Sequence, residues 1–361
     1  MTKSIYRIGD TRRRPLSDSH PDDSPIVAAL RYGVTAPSAH NTQPWRIALV
    51  SDVEARLYFD PGRMLPDTDP RGRQVHISHG TLIEMTAIAA TSLGCRTEVG
   101  ILPDGEMSIP EFGTKPTATI RLVTETGIEV DPLFSQVLER RSSRLAHHGP
   151  PLTDQERAHI AHDAHIPGVE VGWIPEDQRA RVLDIAAQAM TIEVEDHDLY
   201  DETRGWFRFS DRQIAEKGDG LHADTASGLS GVSLTLGRRF IKDSNWHKPY
   251  NRGPYLTTFR RSTSATTALL TLTTATNTMY DWITTGRAYV RAQLSAGGLG
   301  LRFQPISQVL QEFPQMDQLR IEMEQLVGVS APAKLQMIVR VGRTKPPALS
   351  PRRNLRAIIQ Q

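Results

Sequence analysis

One cysteine in 361 residues, Cys95, excludes an internal disulfide and any cysteine-built metal cage. Set at a helix-to-strand junction, it reads as a buried, inert thiol. Aromatic residues make up only 6% of the chain, and no run approaches the ~18 apolar residues of a membrane-spanning helix. Charge of one sign is missing as well. The 42 Lys and Arg against 41 Asp and Glu leave a net +1, which supplies no field for nucleic acid or an anionic membrane. No Gly-x-Gly-x-x-Gly follows a strand pattern, so no separate nicotinamide domain is indicated. Gly218-Asp219-Gly220 fails that pattern, and the stretch from Gly228 to Gly231 lacks a nucleophile elbow. Pro15 to His20 is polar where an export signal needs an apolar core. What is left is a cytoplasmic globular protein of one or two domains that handles small molecules, and any anion it binds must be held by a local cluster.

Periodicity supplies the scaffold. Ser24-Pro25 ahead of Ile26, Val27, Ala29 and Leu30 predicts a proline-started helix ending near Gly33. Strands are expected at 47–50, 56–59, 98–102, 117–123, 169–174 and 335–341. Helices are expected at 72–93, 178–195, 279–299 and 316–327, with Gly94 and Gly328 as left-handed caps. Another helix is expected to begin at Asp131-Pro132, and Thr153-Asp154-Gln155-Glu156 is a capping box. Residues 200 to about 260 are rich in Gly, Asp, Arg and aromatics without clear period. They predict an irregular insert serving as lid, binding loop or disordered segment.

The most distinctive string is Pro37-Ser38-Ala39-His40-Asn41-Thr42-Gln43-Pro44-Trp45-Arg46, between the first helix and the first strand. Short polar side chains held beside a strand can hydrogen-bond a planar heteroaromatic ligand; the same string could equally cap its own turns through Ser38 and Asn41. A second signal is internal. Gly80 to Arg96 can be laid over Gly286 to Arg302 without a gap, matching Gly80, Ala90, Leu93, Gly94 and Arg96 to Gly286, Ala296, Leu299, Gly300 and Arg302. The alignment suggests two similar halves joining near residue 130.

The Pro37 to Arg46 string resembles the flavin loop of the nitroreductase-like flavoenzymes, and Ala36 and Arg46 bring it closest to the Acg-like branch. The resemblance implies an α+β fold of two tandem, degenerate halves, residues 1–130 and 131–361, each with a mainly antiparallel sheet and helices. The chain would act as a pseudo-dimer, with further homodimerisation open, and 200–260 as a lid. It also implies FMN as cofactor, with NAD(P)H as possible reductant and a small-molecule acceptor as partner. Pro37, Ser38, His40, Asn41 and Gln43 match its flavin loop. Its phosphate motif is matched at Arg140-Arg141-Ser142-Ser143-Arg144, through Arg140, Arg141, Ser142 and Arg144, with Arg352 and Arg353 of the tail joining the cluster. Arginine suits that task because its forked donors match phosphate oxygens. A charged helix end is the plainer account of 140–144. Ser307 or Gln308 would offer a backbone N–H to flavin N5, although an ordinary helix cap at Ser307 serves as well.

In such a site the chemistry belongs to the cofactor and no catalytic side chain is expected. Three functions remain open: an FMN-dependent oxidoreductase passing two electrons from NAD(P)H to a nitro, quinone or related acceptor, a lid-covered FMN storage protein with little reductase activity, and a pseudoenzyme that keeps the fold without cofactor. His159, His162 and His165 recur every third residue as helix-borne metal ligands can, but nothing completes a set and no metal is expected. Trp206, Phe207, Phe209, Trp246 and Tyr250 either cover the flavin or pack the insert.

Overall fold

The computed structural model describes Leu16 and residues 20–360, so the basic stretch Arg12-Arg13-Arg14, a solvated run or a decayed counterpart of the 140–144 motif, lies outside the described residues. Helix α1 (Pro25–Gly33) starts on its proline and buries Ile26, Ala29 and Leu30 along one face. After the 37–46 string come the hairpin β1 (Trp45–Ser51) and β2 (Glu54–Phe59), then α2 (Arg73–Thr91), which is buried on nearly every side. Strands β3 (Cys95–Ile101) and β4 (Ala118–Thr124) complete an antiparallel ladder in the order β3-β4-β2-β1.

The helix expected from Asp131 is instead a short 3-10 turn, Pro132–Gln136, opened by Asp131 accepting from Leu133 N at 2.9 Å. Its brevity lets the chain run extended into 140–144. Next come α3 (Asp154–Asp163), begun by the expected Thr153–Glu156 capping box, β5 (Val169–Trp173) and α4 (Glu176–Glu195).

The insert is not irregular. It holds α5 (His197–Trp206), α6 (Asp211–Lys217), α7 (Ala223–Ala226), α8 (Gly231–Phe240) and α9 (Pro249–Ser264). Most of these segments are too short for a 3.6-residue period to stand out, and Pro254 interrupts the longest. Their starts are nonetheless marked: Asp196 accepts from Asp198 N and Leu199 N, and Ser210 from Gln213 N. Phe207, Trp246 and Phe259 from the insert share a core with Val182, Ala186 and Met190 of α4. Packing is therefore the role of Phe207, Phe209 and Trp246, whose rings meet at 4.9–5.6 Å.

Beyond the insert lie β6 (Ala268–Thr274), α10 (Met279–Gly298), β7 (Leu301–Pro305), α11 (Asp317–Leu326) and β8 (Lys334–Arg343). The second sheet has the order β5-β6-β8-β7 and is antiparallel throughout. A last strand, β9 (Ile359–Gln360), returns to the first sheet and pairs in parallel with β1, Ile47 opposite Ile359. Two residues carry no periodicity, so β9 is invisible in the sequence. The fold is α+β, as expected. Strands β1 to β4 of the first sheet precede residue 130 and β5 to β8 of the second follow it, while β9 of the tail joins the first sheet and Leu133, Val137, Leu355 and Ile358 pack in its core.

Helices α2 and α10 bind the two sheets together. They cross at the two aligned glycines: a Cβ on Gly80 would lie 1.9 Å from the Ile283 carbonyl oxygen, and one on Gly286 1.9 Å from that of Ile77. The contacts are reciprocal under the ungapped alignment, which also superposes Ile77 on Ile283. Among the described residues no helix is long and apolar enough to cross a membrane, and no group of three or more His, Cys, Asp or Glu could hold a metal ion. His159 and His162 instead lie beside Asp163 on the exposed face of α3.

Candidate functional site

The 37–43 loop is held on the N-terminal half of α2. Ser78 Oγ accepts from Ala39 N at 3.1 Å, and Thr81 Oγ1 donates to the Pro37 carbonyl at 2.7 Å. Ser38 Oγ closes the loop on itself by accepting from Gln43 N at 2.9 Å. His40, Asn41 and Gln43 all adopt left-handed backbone (φ 45°, 54° and 51°), a conformation sparsely populated by non-glycine residues and concentrated at functional sites.

The Arg-Arg-Ser-Ser-Arg motif arrives from the other side. Ser142 bridges Phe303 of β7 in parallel, and Ser143 N donates to the Phe303 carbonyl at 2.9 Å. This pairing sets the motif beside the chain that runs from Gln304 into the 3-10 turn Ser307–Leu310.

Between these walls lies a cleft enclosing about 950 Å³ of empty space, its mouth included. Seven of the residues expected at the site line it: Pro37, Ser38, His40, Ser142, Arg144, Ser307 and Gln308. The other six do not, because their polar atoms are engaged in holding the chain together. Asn41 donates to the carbonyls of Gly220 and Pro351. Gln43 donates to Gly218 O at 2.9 Å and accepts from Arg353 N at 2.9 Å. Arg352, fully buried, donates to Asn41 Oδ1, Thr35 O and Ala36 O, and Arg353 donates to Gln43 O. The tail arginines thus fasten the tail to the backbone of the loop instead of joining an anion cluster. Arg140 sits behind the motif on Gln293 Oε1, and Arg141 donates to Pro347 O.

Two cations line the cleft. Arg144 is half-buried and donates from Nη1 to Thr225 O at 2.6 Å; burial pushes its guanidinium below the ordinary range. Arg73, at the start of α2, is buried and donates to the carbonyls of Gln336 and Leu310. Burial, with Arg144 nearby, pushes the His40 imidazole down to about 4, so it is neutral at pH 7. Its Nδ1 lacks a partner, as do Oε1 of Gln308 and Oε1 of Gln311. Such orphaned polar atoms are costly unless something meets them.

Several lining residues carry no local signal in the sequence: Gln74, Ser78, Tyr289 and Gln336 face the cleft only because of how α2, α10 and the second sheet meet. Glu193 could have been found, since it is a carboxylate on the otherwise apolar stripe Ala186, Ala189, Met190 of α4. It accepts from Gln311 Nε2 at 3.1 Å, and burial raises its carboxyl to about 7.

That shift has a sign that can be tested. A folded-state pKa above the ordinary 4.5 means folding takes up a proton, so this stabilisation is complete below about pH 4.5 and is lost as pH rises through about 7. We expect Glu193→Gln to reduce the fall in unfolding free energy between pH 5 and pH 8 by on the order of 2 kcal/mol, read by urea denaturation. Asp69, also raised to about 7 by burial, leaves part of the fall in place. Equal declines in parent and variant would mean that Glu193 is ionised in the fold.

No family model matches the chain. Among curated proteins it is 28% identical over 346 residues to the Mycobacterium tuberculosis protein named putative NAD(P)H nitroreductase Rv3131, covering 94% of this chain and 92% of that one. To putative NAD(P)H nitroreductase acg of the same organism it is 24% identical over 334 residues, covering 91% and 93%. Among solved structures, the FMN-dependent nitroreductase NfnB of Mycobacterium smegmatis, in complex with NADPH, overlaps 63% of this chain and 96% of its own at 15% identity and a TM-score of 0.38.

Proposed function

We propose that this chain, nitroreductase-like and akin to the Acg-like proteins along nearly its whole length, is an FMN-dependent oxidoreductase that takes two electrons from NAD(P)H and delivers them to a small organic acceptor. The observation that carries this reading is the cleft itself. It brings Ser38 and His40, Ser142 and Arg144, and Ser307 and Gln308 from three distant stretches to one space. The donor set suits FMN. The flavin's pyrimidine edge presents carbonyls and an N–H, and the cleft offers amide and hydroxyl donors together with the unpartnered acceptors on Gln308 and Gln311. Its phosphate needs a guanidinium in a chain without net positive field, and Arg144 provides one.

When bound, FMN supplies hydride transfer at N5. The protein's part is to hold and orient it: the loop fixed on α2 forms one wall, Tyr289 on α10 meets Ser142 on another, and a neutral His40 adds no charge to the face it borders. The walls belong to two halves of one chain, in keeping with descent from a duplicated unit whose single site lies between the halves.

The test is a spectrum followed by a reductant. The purified protein, reconstituted with FMN, is expected to be yellow and to bleach on anaerobic addition of NADH or NADPH. A yellow protein that stays oxidised would favour FMN storage, and one that takes up no flavin would end both readings. The insert bears on this choice, because none of its residues lines the cleft.

A further inference from the structure

Helix α8 of the insert carries apolar residues on two faces. Leu234 and, just past the helix end, Ile241 turn inward onto the core shared with α4, and a Cβ on Gly237 between them would come within 3.0 Å of Leu229. The opposite side carries Val232, Leu236 and Phe240. Spaced four residues apart, they form one row along the helix, and they are 78%, 51% and 63% exposed. No residue of α8 is buried. A helix that did nothing but roof the insert would turn a polar face outward. Apolar side chains exposed singly are commonplace, but a row of three on one helix marks a surface that meets something.

The charges around the row are mostly of one sign. From 231 to 248 the chain carries Arg238, Arg239, Lys242 and Lys248 against Asp243 alone, an excess of three where the whole chain has +1. Arg238 is tied to Asp211, and Asp243 to Arg204. Arg239, Lys242 and Lys248 are exposed and have no ion-pair partner among the described residues. Arg239 follows Val232 by seven residues and so stands at the edge of the row. The chain as a whole has no field for an anionic surface, but this segment supplies one of its own.

We infer that α8 docks the insert on membranes containing anionic lipid, lying in the interface with Val232, Leu236 and Phe240 inserted and Arg239, Lys242 and Lys248 among the head groups. An apolar row edged by unpaired cations matches a bilayer surface, whose acyl boundary takes the side chains and whose anionic head groups take the charges. A second copy of the chain fits less well. It would set its own cations against these, and a ten-residue helix, ~15 Å long and ~10 Å across, falls far short of the ~800 Å² per partner of a stable interface. The inference is independent of the FMN reading, since no residue of α8 lines the cleft.

The experiment is co-sedimentation of the full chain with vesicles of phosphatidylcholine, alone or mixed in equal parts with phosphatidylglycerol. The parent is expected to bind the mixed vesicles at least tenfold more tightly at low salt and to lose most of that advantage at ~1 M salt, where charges are screened within ~3 Å. Leu236→Ser combined with Phe240→Ser should weaken binding at least tenfold; both side chains are exposed, so the unfolding midpoint should not fall. Arg239→Gln combined with Lys242→Gln should remove most of the preference for phosphatidylglycerol. Absence of binding by the parent, equal affinity for the two vesicle types, or parent-like binding by both double variants would overturn the assignment. Sedimentation velocity without lipid tests the other occupant: a dimer in the parent that becomes a monomer when Leu236 and Phe240 are serine would give the row to a second copy, and the membrane assignment would fall.

Discussion

Alanine at Gly80 is expected to lower the stability of the fold by about 3 kcal/mol, at the upper end of ordinary overpacking costs. In an exposed helix the same change would stabilise by up to ~1 kcal/mol, because glycine is the poorer helix former. Here the sign reverses. The new Cβ would meet the oxygen of Ile283 at 1.9 Å, its carbon at 2.9 Å and Arg287 N at 3.0 Å. All three are backbone atoms of α10 and cannot swing aside as a side chain would, so the helices must separate. Gly286→Ala is expected to act alike from the other side, where Ile77 O lies at 1.9 Å. The double variant should cost far less than the two single effects added, because the first methyl has already parted the helices. Gly253→Ala in α9, with nothing within 4 Å of its Cβ, serves as the control and should be neutral or slightly stabilising. Denaturant unfolding of the four variants decides the matter, and unchanged midpoints for the Gly80 and Gly286 variants would count against this packing. Flavin retention should fall with stability, since Gln74, Ile77, Ser78 and Thr81 on α2 and Tyr289 on α10 line the cleft.

Replacing Arg144 with alanine should weaken FMN binding by about fifty-fold, corresponding to roughly 2 kcal/mol for one charge-assisted contact to phosphate. Riboflavin, which lacks the phosphate, is the discriminating ligand: its affinity should change by less than threefold. Arg144 also holds Thr225 O. If its real service were to dock the insert, both ligands would weaken together. His162→Ala on the exposed face of α3 should leave both affinities alone. Fluorescence titration of the apo-protein and its two variants measures all six values, and equal FMN affinity in parent and Arg144→Ala would remove Arg144 from the phosphate role.

Much of the scaffold was legible because its helices and strands carry periods long enough to read. Helices α2 and α10, the strands of both sheets apart from β6, β7 and β9, and the Thr153–Glu156 cap stand close to where periodicity and capping place them. The insert was misjudged for a physical reason: its short helices are stabilised by a shared aromatic core with α4, not by any stripe long enough to see. The loop and the 140–144 motif were legible as strings of unusual composition, and the cleft brings Ser38, His40, Ser142 and Arg144 together. Arg352 and Arg353 show where composition stops. A guanidinium that grips phosphate and one that ties up orphaned carbonyls look identical in sequence, and only the surroundings, here Thr35 O, Ala36 O and Gln43 O, tell them apart. Arg73 and Gln336 were out of reach because their place at the cleft depends on tertiary contacts across more than half the chain.

The cleft takes Ser38 and Ser78 from the stretch before residue 130 and Ser142, Tyr289 and Gln336 from the stretch after it, all on a single covalent chain. A site divided between two separate polypeptides dissolves on dilution below their dissociation constant, and its cofactor leaves with it. Linkage converts that bimolecular step into an internal one with a fixed effective concentration. Cofactor affinity in this protein should therefore be independent of protein concentration, and a cell could keep it at very low copy number without emptying the site.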